Sequence, residues 1–159
     1  GAALRIPANL LLEGKDFTMF SVLRANAGVR PVAWSVTATQ KLFGAPVVQQ
    51  GLAMVMPITM PDSADLAFDV PGDAPLDLKV TAALIDGPWH FGRMLTEDVA
   101  DLEPNIAAMG RTVAQPFARL GLGRLARGDT TGAVAALERA AHLLPDQTAL
   151  AEFIDGIRR

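Results

Sequence analysis

Residues 116–147 read PFARLGLGRLARGDTTGAVAALERAAHLLPDQ. The run predicts two short antiparallel helices joined by a tight turn at Gly128-Asp129. Gly128 can take the positive φ that ends a helix, Asp129 or Thr130 can cap the next one, and Pro145 stops it. Two helices of this length cannot bury their own apolar faces. This part of the chain must therefore stack against something else.

Upstream of the hairpin, Thr96-Glu97-Asp98 looks like a helix start, with an N-cap and acids in the first turn. Pro104 suits the first turn of a further helix. That helix would carry Ile106, Met109, Val113 and Ala114 on one face, by their spacings of three and four.

Before residue 95 the composition changes to proline, β-branched and aromatic residues. Leu4–Leu12 and Phe17–Leu23 read as apolar strands around a Glu13–Asp16 turn. Pro31–Gln40 alternates, with Val32, Trp34, Val36 and Ala38 on one face. Pro46–Gln50, Leu52–Met56, Leu66–Val70 and Leu76–Ala82 continue the pattern; Pro71-Gly72-Asp73 is a turn, and Leu84-Ile85 ends at Asp86-Gly87-Pro88. About seven short strands, with no long helix between them, predict an antiparallel β-sandwich of immunoglobulin-like size. The expected fold class is thus mixed, β then α, with a sandwich domain over 1–95 and a helical domain over 96–159.

Composition narrows the function. The 159 residues include no cysteine, which excludes disulfides, thiolate metal sites and cysteine nucleophiles. Half are apolar and 19% are charged, so the chain is globular and slightly greasy. Some of that apolar surface could be covered by a partner. The net charge is −3 without a basic run, which argues against nucleic acid. No apolar run approaches the ~20 residues of a spanning helix. The first residues, Gly1-Ala2-Ala3-Leu4, lack Met and a basic region, and suggest a processed form or a piece of a larger protein.

Residues 114–147 resemble a tetratricopeptide repeat over about one fifth of the chain. Phe117 takes the aromatic place, Leu120-Gly121 the Leu-Gly pair and Gly128 the turn. Ala133, Leu137 and Ala140 take the contact places of the second helix, and Pro145 the terminal proline. Arg124 stands where the family prefers Tyr, Gly132 weakens the second helix, and only one repeat is visible. Thr148–Ile157, with Leu150, Phe153, Ile154 and Ile157, looks like the capping helix of such a stack. The resemblance implies a protein- or peptide-binding groove lined by Gln115, Ala118, Leu122, Leu125 and Ala126. The Lys and Asn residues that clamp a peptide carboxylate in some members are missing. A groove this dry packs on the β-rich part more readily than it displays a specific ligand site.

Other constellations are weaker. Gly121-Leu122-Gly123-Arg124-Leu125-Ala126 fits a loose dinucleotide-loop pattern, but no strand precedes it. His90 sits in Gly87-Pro88-Trp89-His90-Phe91-Gly92, and His142 near the end of a helix. Glu97, Asp98, Asp101 and Glu103 read as a solvated capping face, not as a general-acid pair. Asp62, Asp65, Asp69 and Asp73 lack the order of a calcium loop. Ser21, Ser35 and Ser63 lack the setting of a nucleophile elbow. Trp34 reads as the core tryptophan of the sandwich, Trp89 as a plug between the two parts, and Met54, Met56 and Met60 as core fill or an adaptable surface.

The expectation is a non-catalytic assembly module without cofactor or metal, binding a protein partner or the rest of its own chain. The alternative is a sandwich that holds a sugar or peptide at Trp89, His90 and Phe91.

Overall fold

The computed structural model describes residues 4–6, 8, 11–38, 43–68, 73–98 and 102–159. The β-sandwich is not formed. Among the described residues, five strands of two to four residues make one open sheet in the order β1-β3-β2-β5-β4, accompanied by five α-helices. The strands are β1 (Val32–Ser35), β2 (Val48–Gln50), β3 (Ala53–Met56), β4 (Leu66–Ala67) and β5 (Leu76–Asp77). The helices are α1 (Gly14–Asn26), α2 (Leu78–Asp86), α3 (Pro104–Leu125), α4 (Thr130–Leu143) and α5 (Thr148–Arg158). All neighbouring strands pair antiparallel except β2 and β5, which run parallel through Gln49 and Leu76.

Two expected strands are helices. At Phe17–Leu23, the expected turn Glu13–Asp16 is a helix start. The Glu13 side chain and the Asp16 backbone, and the reverse pair, form a reciprocal capping box. Asp16, Met19, Phe20 and Leu23 then fall on the inward side at spacings of three and four. At Leu76–Ala82 the strand ends after Asp77, whose carboxylate accepts from Val80 N at 2.9 Å and caps α2. Leu78, Thr81 and Ile85 become the buried stripe, so Leu84-Ile85 is helical too. In both segments apolar residues satisfy period two and period 3.6 together, and the cap decides. The described part of Leu4–Leu12 holds no strand. Thr96–Asp98 follow a 3-10 turn at Gly92–Leu95 and start no helix. Thr39, Gln40, Asp69, Val70, Pro71, Gly72 and Asp101 lie outside the described residues.

The alternation at β1 holds: Val32 and Trp34 are half-buried, while Ala33 and Ser35 are exposed. With β3 and α1 they form a core of Leu23, Phe43, Val47 and Met56, on which Phe20, Trp34 and Met54 pack. β2 and β3 turn on Gly51-Leu52. Gly51 has φ +58°, as a two-residue hairpin favours.

The main core crosses residue 95. Ala67, Leu76, Leu78 and Ile85 pack with Val113, Ala114, Phe117, Leu120, Ala136, Ala140 and Leu143. Helix α3 therefore lies between the sheet and α4. It runs unbroken through Pro116, where sequence had suggested two helices. At the α3–α4 crossing a methyl on Gly121 would stand 2.6 Å from Leu137 Cγ, so only glycine permits this approach. The hairpin turn is Gly128 at φ +79°, and Asp129 caps α4 by accepting from Gly132 N at 2.9 Å. Gly128→Ala should cost about 1–2 kcal/mol, since open space surrounds the site and only the left-handed backbone is penalised. Urea denaturation would measure it, and an unchanged midpoint would remove the constraint assigned to this turn.

A buried polar bridge fixes α3 on the sheet. Gln49 Nε2 donates to Gly51 O at 2.8 Å and to Gln115 Oε1 at 2.9 Å, while the buried Arg119 donates to Gln49 Oε1 and, at 3.0 Å, to Ala74 O. Directed bonds of this kind set the register of the helix in a way apolar packing does not.

Candidate functional site

Toward its C-terminal end α3 leaves the core and forms one wall of an apolar hollow. Leu122, Gly123 and Ala126 face Leu66, Ala67 and Phe68 of β4 and its continuation, enclosing about 230 Å³ with Arg127 at one end. Phe68 is 74% exposed and Leu122 39%. Gly123 lets the base close up: a Cβ there would lie 2.5 Å from Leu78 Cδ2 and would push that side chain aside.

Arg127 holds the two walls together. Its guanidinium donates to Ala64 O at 2.7 Å, Leu66 O at 3.0 Å and Gly123 O at 3.0 Å. It forms no ion pair among the described residues. Occupied carbonyls along the edge strand β4 also discourage unplanned strand pairing there. On the far side of Arg127 lies a hollow of about 210 Å³, where Asp65, Lys79, Arg124 and Asp129 surround Leu78 and Leu120. Arg124 stands 3.8 Å from both Asp86 and Asp129, an arrangement of exposed ion pairs that contributes little.

The five groove residues expected from sequence separate. Leu122 and Ala126 meet in the apolar hollow. Ala118 is half-buried against the main core, and Leu125 is half-buried. Gln115 is engaged by Gln49 and lines a different groove with Val36, Thr37, Arg111 and Thr112. Phe68 and Arg127 are the contributors that sequence missed. In the sequence Phe68 reads as one residue of a regular strand, and nothing local shows that the strand ends before it.

The second group, Trp89, His90 and Phe91, does not converge. Trp89 and Phe91 are half-buried and pack edge to face at 5.9 Å, and Phe91 lies 5.1 Å from the buried Phe117. His90 alone is exposed. Trp89 covers Gly51, joining the sheet to the helical part as a plug.

Glu97 accepts from Arg93 Nε at 2.6 Å, and that hydrogen bond holds its carboxyl below the usual carboxylate range. A carboxyl so placed is ionised at neutral pH and has no proton to donate. Among the described residues no group of three or more His, Asp or Glu is placed to hold a metal ion. No described helix is long and apolar enough to cross a membrane.

No family model matches the chain, and neither curated proteins nor solved structures give a significant match.

Proposed function

We propose that this chain is a non-catalytic protein-interaction module, and that the hollow between α3 and β4 receives a partner. The observation that carries this reading is the pairing of Phe68 and Leu122 across a concave apolar surface. Its volume of about 230 Å³ lies below the about 300–1,000 Å³ typical of small-molecule sites. It suits one inserted apolar side chain of a protein segment. On this reading the α3–α4 hairpin with α5 works as a single tetratricopeptide-like unit. Its inner face is used on the sheet, and its C-terminal end is left for the partner.

Leu122→Asp and Phe68→Asp should each weaken partner capture by at least about tenfold and leave the unfolding free energy within about 0.5 kcal/mol of the parent. Quantitative pull-down from the source organism, with the parent and both variants in parallel, tests this. Equal capture by all three, or no stoichiometric partner for the parent, would remove the proposal.

A further inference from the structure

A second surface, at the opposite end of the sheet, has a different chemistry. Four chain segments meet around an apolar hollow of about 250 Å³ lined by Leu4, Ala27, Gly28, Pro46, Met56, Pro57 and Ile58. Its surroundings carry large aliphatic side chains in solvent: Val29 is 69% exposed, Ile58 53%, and Ile6 and Met60 are about two-fifths exposed. Among these are Arg5, Arg24 and Arg30, each exposed and within three residues of the lining.

The charge here is one-sided. From Phe17 to Pro61 the sequence contains no Asp or Glu, although the chain has 17 elsewhere. Arg5, Arg24 and Arg30 form no ion pair among the described residues, whereas Arg93, Arg124, Arg139 and Arg158 each face a carboxylate. The closest carboxylate in sequence, Asp62, is turned to its own 3-10 turn, accepting from Ala64 N at 3.1 Å. Glu13 and Asp16 sit at the far end of α1.

We infer that this face docks on a membrane surface rich in anionic headgroups. The aliphatic turns enter the boundary between headgroups and acyl chains, and the arginines remain at headgroup level. Apolar area and cationic charge are the two terms that hold a protein at such an interface, and here they coincide. A protein epitope concentrates its binding energy in a few residues near the centre of one well-packed patch. This rim is aliphatic and spread over separate turns, which suits a fluid surface.

Sedimentation of the full chain with vesicles tests the inference. We expect binding to phosphatidylcholine vesicles containing one quarter phosphatidylglycerol, and at least about tenfold weaker binding to phosphatidylcholine alone. Binding should fall sharply at ~1 M salt, where the Debye length is about 3 Å. Arg24→Gln and Arg30→Gln should each weaken it about fivefold. Val29→Asp and Ile58→Asp, at exposed positions that leave the fold intact, should each cost at least about tenfold. Leu122→Asp should leave it unchanged, which separates this face from the partner hollow. Failure to sediment with anionic vesicles, equal binding to neutral ones, or indifference to Val29→Asp and Ile58→Asp would each overturn the inference. Retention on a polyglutamate column without vesicle binding would assign the face to an acidic protein instead.

Discussion

Replacing Phe117 with alanine should lower the unfolding free energy by about 3–5 kcal/mol. Phe117 ties α3 to α4 and to the segment before the 3-10 turn. Phe117 is completely buried. Its ring lies 5.1 Å from Phe91 and 5.9 Å beneath the guanidinium of Arg139. Truncation removes a large apolar side chain and leaves a cavity that α3, α4 and the 3-10 turn cannot close, because Gly121 already brings the helices as near as Leu137 allows. It also removes the aromatic pair and the cation–π contact, each about 0.5–1.5 kcal/mol. Domains of this size are stable by about 5–15 kcal/mol, so the variant would approach the edge of folding at 37 °C. Urea unfolding followed by circular dichroism measures the loss. A cost under about 1 kcal/mol would mean that the core crossing residue 95 does not exist as described.

The second large effect is expected at Gly51→Ala. Two penalties coincide there. The residue has φ +58°, which costs an L side chain about 1–2 kcal/mol. Its new methyl would also stand 2.2 Å from the Trp89 ring, an overlap that displaces the plug. Overpacking of this kind costs typically about 1–3 kcal/mol, giving roughly 2–5 kcal/mol in all. A double-mutant cycle separates the two. In a Trp89→Ala background, Gly51→Ala should cost only the backbone part, about 1–2 kcal/mol. Additive losses would show that the tryptophan does not rest on the hairpin.

These two residues illustrate how unevenly the fold could be read. Phe117, Gly121, Gly128, Asp129 and Pro145 announce a helical hairpin because their roles are local. A positive φ, a cap and a small residue at a crossing need only near neighbours in sequence. The hairpin, the start of α3 at Pro104 and the α5 helix were legible for that reason. The alternation of Val32 and Trp34 was legible too, because a half-buried strand leaves period two in four residues. The segments around Phe20 and Ile85 were not. Their short apolar runs fit strand and helix equally, and the choice lay with the Glu13–Asp16 capping box and the Asp77 cap. Once α1 and α2 form, too few strands remain for two sheets, and the sandwich is lost.

Of the candidate partner surface, Leu122 and Ala126 were legible as apolar positions on a helix left without a mate. Phe68 and Arg127 were not, because their meeting with α3 depends on where β4 ends. The arginines near Val29 were visible as residues, but that no described carboxylate pairs with them is a property of the folded surface.

By itself, the sequence determined that the C-terminal third is a helical hairpin with apolar faces too large for its own two helices to cover. Helix periodicity and turn stereochemistry are properties of neighbouring residues, so no distant information was needed. Only the tertiary structure decided what covers those faces. The sheet takes the inner part of α3 through Gln49, Arg119 and the Phe117 core, and the end at Leu122 and Ala126 stays open. That division depends on contacts between residues some seventy positions apart, which composition and spacing do not encode.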